Sequence, residues 1–322
     1  MNPAALVRKL RRYGPVGSAV LGAHALNYWV RKHVLRRRYF VRSVHDYRLR
    51  LDLRDPGLAR DLAVRGRREE QLKYILDRLL RPGQTVLDVG ANVGYYAILE
   101  ARRVGPEGHV YAIEPEPHNF RMLNANVRLN GLERRIETVH AGAADRPGRM
   151  RLLVSELSNL HTFRRQSRAG DARRALRGES VEVETVTLAG FLRGRRPVDL
   201  IRMDIEGFEV EVLTGLLPAI EDGTFGGAIV FEAHTPDYGG EHDIREPLRR
   251  LFERGYRARW VTSNDEPEPR LRGRGYEPTT EIETAGLRRR GVYEDVAADD
   301  LLELVFREGG VRDVALVRAP GG

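Results

Sequence analysis

Five residues with chemistry to offer stand where runs of β-forming residues end. Asp88 lies near the end of Thr85–Val89, Glu114 follows His109–Ile113, Asp204 follows Asp199–Met203, and Glu232 and His234 follow Ala228–Phe231. Open α/β sheets bind ligands beyond the carboxyl ends of their strands, so one cleft would collect all five. Acids and a histidine gathered there bring no packing benefit, which points to chemistry. A neutral His234 suits removal of a proton near pH 7, with Asp204 or Glu232 orienting it or taking the proton themselves. Asp204, Glu206 and Glu232, with His234, are also ligand types that could hold Mg²⁺ beside a diol. Their spacing matches no metal motif, so Mg²⁺ is not the favoured reading.

A glycine-rich turn precedes the first helix of this series. Thr85–Val89 enters Gly90-Ala91-Asn92-Val93-Gly94, and an apolar helical pattern runs from Tyr95 to Val104. Glycines let a backbone approach a ligand closely, and a helix start offers unpaired N–H groups and partial positive charge. Asp88 could accept hydrogen bonds from an ammonium or hydroxyl on that ligand. Glu114 lies 20 residues beyond Gly94, where an acid at a strand end can accept both hydroxyls of a ribose. The dinucleotide fingerprint is absent, because its middle glycine is Asn92, and there is no Walker lysine.

The order D-x-G-x-N-x-G at 88–94 resembles motif I of the class I S-adenosylmethionine (SAM) methyltransferases, and its GAN variant resembles the FkbM family. The stretch VDLIRMDIEGFEVEVLTG at 198–215 is similar to a second signature of that family, and Phe231-Glu232-Ala233-His234 to a third. The resemblance implies a Rossmann-like α/β fold with a mostly parallel seven-stranded sheet and helices on both faces. It implies SAM as cofactor, held by Asp88, Gly90, Asn92, Gly94 and Glu114, with Asp145 beside the adenine amine. It implies O-methylation of a hydroxyl of a small molecule, carbohydrate or glycolipid, with Asp204, Glu232 and His234 as the catalytic set. Base methylation of nucleic acid does not fit, since DIEG stands where an N/D-P-P-Y turn is common. A non-catalytic module that binds SAM or another ligand, tethered by a basic N-terminus, is the alternative. Binding without methyl transfer would mark it.

The net charge of +8 is concentrated at one end. Residues 1–40 hold nine Lys/Arg and no Asp or Glu, so the remainder is nearly neutral and offers no nucleic-acid groove. Arg8, Lys9, Arg11 and Arg12 precede an uncharged segment from Gly14 to Val30, and Arg31, Lys32 and Arg36–Arg38 follow it. That segment is shorter than a span of about 20 apolar residues. Residues 1–45 therefore read as a basic, helical, amphipathic extension that either lies on an anionic membrane or packs on the domain. Residues 46–322 read as the methyltransferase domain, with its core at about 68–262. Cysteine is absent, which fits a reducing, cytoplasmic compartment. The arginine-rich run Arg164–Gly178 reads as a rim loop able to meet an anionic substrate, preceded by Ser158, Asn159 and His161. Residues 264–280 read as a loop.

Overall fold

The computed structural model describes residues 3–155, 157, 160–163, 176–240, 242–266, 269–284 and 289–318; the side chains at 3–15 and 176–178 are not described. Pro3–Trp29 forms one helix, α1, which runs on as a π-helical turn over Val30–Val34. The strands β1 (Tyr39–Val44) and β2 (Tyr47–Asp52) form an antiparallel hairpin whose turn contains residue 45. The alternation at 47–53 predicts β2, and its partner β1 adds the strand that the pattern of the extension did not announce.

Helices α2 (Leu58–Arg65) and α3 (Glu70–Leu79) lead into β3 (Thr85–Val89). The alternation that follows runs α4 (Tyr95–Val104), β4 (His109–Ile113), α5 (Pro117–Leu129) and β5 (Ile136–Val139). Glu116 starts α5 by accepting the Asn119 N–H, with Pro117 as the first helical residue, a favourable N-terminal arrangement. A small sheet interrupts this order, with β6 (Gly142–Ala143), β7 (Gly148–Ser155) and β8 (Leu176–Val186) in the order β6-β8-β7. The chain then returns through a short helix, α6 (Leu188–Leu192), to β9 (Leu200–Met203), α7 (Glu209–Glu221), β10 (Ala228–Glu232), α8 (Arg245–Glu253) and β11 (Tyr256–Ser263). Three strands complete it: β12 (Thr280–Glu283), β13 (Arg289–Val296) and β14 (Val311–Arg318).

The main sheet has nine strands in the order β12-β13-β11-β14-β10-β9-β3-β4-β5. Its members β5-β4-β3-β9-β10-β14-β11 are the seven expected, with β14 antiparallel between β10 and β11. The expectation of seven strands is corrected by β12 and β13, which extend the sheet antiparallel beyond β11. A helical turn at Arg270–Gly273 also falls inside the predicted 264–280 loop. One apolar layer packs α6, α7 and α8 on one sheet face, and a second packs α3, α4, α5 and the hairpin on the other. In α7, Val212, Leu213, Leu216 and Leu217 are buried, each contributing about 1.5–3 kcal/mol by leaving water. The parallel strands all end on the side of the glycine turn, which fixes where a site can form.

The first helix is different. Its large apolar residues Val16, Val20, Leu26 and Trp29 are 50–76% exposed, while Tyr28 is buried against the hairpin side. Among the described residues, no helix is long and apolar enough to cross a membrane.

Candidate active site

The turn after β3 is built against its neighbours. The N–H groups of Gly90 and Ala91 both donate to the Ile113 carbonyl at 3.0 Å, which ties the turn to the end of β4. Gly90 has φ +78°, and a Cβ there would lie 2.1 Å from the Asp204 carbonyl oxygen. Gly94 has φ +92°, and its Cβ would lie 2.9 Å from Leu123 Cδ1 on α5. The space freed by the two glycines is thus filled by the end of β9 and by α5, not by an approaching ligand, which corrects the sequence-based reason for them. Asn92 takes the left-handed conformation between them at φ 51°, one that Asn tolerates better than most residues.

Glu114 faces this turn from β4. One oxygen accepts the Asn92 N–H at 2.8 Å and the other the Glu116 N–H at 2.9 Å. Burial pushes its carboxyl up to about 8, against those two N–H groups, which favour the carboxylate. Asp145 is exposed just beyond β6 and makes no ion pair among the described residues.

Asp88 does not present a free carboxylate. It sits opposite Arg202 in the β3–β9 register, and Arg202 Nη1 donates to its Oδ1 at 2.8 Å. The same guanidinium reaches Asp204 Oδ2 with Nη2 at 3.0 Å and lies over the Tyr96 ring, 4.0 Å from its centroid. The expectation that Asp88 meets the ligand directly is therefore corrected: it anchors Arg202, and through it Asp204. Burial raises the Asp88 carboxyl, and Arg202 opposes that rise. Arg202 was legible in principle, since a charge inside an otherwise apolar β9 must find a partner.

Asp204, Glu232 and His234 come together as expected. Each offers one ligand-type atom, and the three atoms lie within 4.8 Å of one another. Their supports were not read from the sequence. Glu209, fully buried at the start of α7, binds His234 Nδ1 at 2.8 Å and accepts the Tyr238 hydroxyl at 2.9 Å. His234 Nε2 faces Glu206 Oε2 at 3.5 Å and Glu232 Oε1 at 3.8 Å. Arg312 of β14 pairs with Glu232 at 2.8 Å and with Glu69 at 3.3 Å, and Glu69 also pairs with Arg68 at 2.7 Å. Burial alone would lower the His234 pKa, but Glu209, Glu206 and Glu232 outweigh it and hold the imidazole well above its ordinary value. These carboxylates favour the protonated imidazole, which works against the neutral-base role expected of His234. Burial pushes Glu232 up to about 7, with Arg312 pulling the other way. A carboxylate so tuned suits proton transfer near neutrality.

For a metal, Asp204, Glu232 and His234 supply the donor set, and Glu206 stands beside it. Glu209 on Nδ1 orients the ring as an outer carboxylate does in histidine metal sites. Arg202 and Arg312 already hold opposite charge against Asp204 and Glu232, which reduces the need for an ion.

Three cavities run past these residues. One of about 40 Å³ is lined by Gly90, Asn92, Arg202 and Asp204; it shares Leu58 with a cavity of about 330 Å³ beside Glu116 and Asn119. His161 lines the latter and accepts the Ser155 N–H at 2.9 Å. Ser158 and Asn159 lie outside the described residues, as do residues 164–175 of the arginine-rich run. The third cavity, about 450 Å³, shares Arg68 and Glu69 with the smallest one.

A glycine turn after the first parallel strand, an acid ending the second and an antiparallel strand inserted before β11 define the class I SAM-dependent methyltransferase fold. Within that class the chain belongs to the FkbM family: the methyltransferase FkbM domain matches residues 88–258. A second model, for protein-L-isoaspartate(D-aspartate) O-methyltransferase, matches residues 4–147, less than half of the chain. The 31-O-demethyl-FK506 methyltransferase FkbM of Streptomyces tacrolimicus is 28% identical over 184 residues, which are 49% of this chain and 68% of that protein. Methyltransferase sdnD of Sordaria araneosa is 26% identical over 155 residues, 41% of this chain and 60% of its own length. Among solved structures, methyltransferase FkbM from Methylobacillus flagellatus aligns with 13% identity and a TM-score of 0.38, covering 73% of this chain and 52% of its own.

Proposed function

We propose that the chain transfers a methyl group from SAM to a hydroxyl of a small molecule or carbohydrate. The grouping of Asp204, Glu232 and His234 within 4.8 Å beside the glycine turn carries this reading. SAM supplies an activated methyl on sulfonium, and its transfer demands alignment with the acceptor oxygen. The surroundings fit SAM: Glu114, hydrogen-bonded to Asn92 of the turn, offers a buried carboxyl for a diol, and the 40 and 330 Å³ cavities share Leu58 as a wall. Gly90, Asn92, Gly94, Asp88 and Asp145 would complete the binding wall, Asp88 by fixing Arg202. Glu232 accepts the hydrogen bond of the acceptor hydroxyl and takes its proton, Asp204 orients the acceptor through a second donor group, and His234 keeps the two carboxylates from repelling each other.

Calorimetry with SAM tests this, and Glu114 gives it a signature. Its carboxyl is held to about 8 by burial, and the ionised form is the stronger acceptor for ribose hydroxyls. Binding below that pH is expected to be coupled to loss of the proton. SAM affinity is expected to rise with pH by up to about tenfold per unit below 8 and to level off above it. Glu114→Gln should bind weakly at every pH. No SAM binding at pH 9 overturns the proposal; SAM binding without methyl transfer favours the non-catalytic module.

We also infer that residues 1–40 rest on an anionic membrane surface facing the cytoplasm. The exposed apolar residues of α1 and the Lys/Arg clusters flanking them support this, since each such cation is worth about 1 kcal/mol beside acidic lipid. The chain has two tryptophans, and Trp260→Phe leaves Trp29 as the only reporter. Its emission is expected to shift to shorter wavelength with vesicles of equal parts phosphatidylcholine and phosphatidylglycerol, and to revert in high salt. No shift at low salt means that α1 does not bind lipid.

A further inference from the structure

The 450 Å³ cavity lies between α1 and the ion-paired Arg68, Glu69 and Arg312. Gly17, Val20 and Leu21 of α1 form one wall, and Arg312, the partner of Glu232, stands in another. It shares Arg68 and Glu69 with the 40 Å³ cavity, which the glycine turn and Asp204 line. With the cofactor on the Glu116 side, an acceptor held in the cavity under α1 would lie against Arg312, the ion-pair partner of Glu232, and against Arg68 and Glu69, which also line the cavity of Asp204.

Its lining says what kind of acceptor. Five arginines and five carboxylates line it, so it carries no net formal charge. A lining that selects an anion would be in cationic excess. A balanced set of fixed donors and acceptors instead matches hydroxyl groups, which both donate and accept. The α1 wall is apolar, and Val20 reaches both the cavity and the exposed face of α1. That exposed face carries no charge from Gly14 to Val30.

Building on the methyl-transfer reading, we propose that this cavity is the acceptor site and that its acceptor is an amphiphile of the bilayer. The polyhydroxyl head group lies among the arginines and acids, and the apolar tail leaves along Val20 and Leu21 toward the lipid on which α1 rests. The hydroxyl oxygen gains the methyl from the sulfonium, the carbon–sulfur bond breaks onto sulfur, and the hydroxyl proton passes to Glu232.

Calorimetric titration of the full chain with glucose and with octyl β-glucoside below its micelle concentration tests this, because the two share a head group and differ in the tail. Octyl glucoside is expected to bind at least about tenfold more tightly. Leu21→Arg should remove that advantage while leaving SAM affinity unchanged, which also shows that the variant is folded; Leu21→Ser should lose part of it. Equal affinity for the two sugars means a soluble acceptor and overturns the proposal. Binding of neither sugar, or tail-dependent binding that Leu21→Arg and Leu21→Ser leave intact, overturns it too. Loss of SAM binding in the unaltered chain would instead defeat the methyl-transfer reading, so the two failures are distinguishable.

Discussion

Glu232→Gln is expected to lower kcat by about 10²- to 10³-fold while SAM affinity stays unchanged. Glu232 ends β10 between Arg312 at 2.8 Å and His234 at 3.8 Å, with its carboxyl pushed up to about 7 by burial. Glutamine keeps the volume and can still accept from Arg312, but it cannot take a proton. The loss should therefore appear in turnover and not in binding. Asp204→Asn should act in the same direction. Steady-state assays with labelled SAM, run with and without EDTA, make the measurement. Activity of the unaltered protein is expected to survive EDTA, because Arg202 and Arg312 already face the two acids. Wild-type turnover by Glu232→Gln would refute the proton-acceptor role, and strict dependence on Mg²⁺ would reassign Asp204, Glu232 and His234 as ligands.

Arg202→Met should destabilise the fold by about 3–5 kcal/mol, because it leaves buried carboxylates without a counter-charge. The Arg202 side chain is 3% exposed and Asp88 is fully buried. Glu100, also fully buried, stands near both; burial raises its carboxyl well above the ordinary value and Asp88 adds to the rise. Removing the guanidinium strips Asp88 and Asp204 of their shared partner and uncovers the Tyr96 ring. Urea denaturation of Asp88→Asn, of Arg202→Met and of the double variant gives the cycle. The double variant should recover part of the loss, since one of the two carboxylates left without Arg202 is neutralised. A single variant less than about 1 kcal/mol below wild type would show that the pair is not what holds β3 to β9.

The sequence made the strand ends legible because a parallel strand buried on both faces reads as a short apolar run with its polar residue at the end. Asp88, Glu114, Asp204, Glu232 and His234 were found that way. What each acid does there was less legible. Whether Asp88 faces a ligand or Arg202 depends on which strand lies beside β3, and that neighbour, β9, is 114 residues further on for this pair. Glu209 looked like one more polar residue on a helix; only packing shows that it is buried against His234. Arg312 sits in VRDVALVR, which does not alternate and so gives no sign of which face Arg312 takes. The strands β12 and β13 were missed for a related reason. TEIE and RRGVYEDV are rich in charge, as suits strands added at an exposed edge, and they carry little of the apolar signal that marked the interior.

The insertion of β14 between β10 and β11 sets an order of events during synthesis. β11, β12 and β13 are all made before it, yet β10 cannot find its neighbour on that side until residues 311–318 have emerged. Domains form from the N-terminal side as the ribosome delivers them. A nascent chain ending at β13 therefore has the glycine turn, Glu114 and the Asp88–Arg202 pair in place, but Glu232 lacks Arg312 and two strand edges stand open. Such edges pair readily with other chains. Translation that stalls in this interval is expected to yield a product disposed to aggregate, and the arrival of one strand both seals the sheet and completes the proposed site.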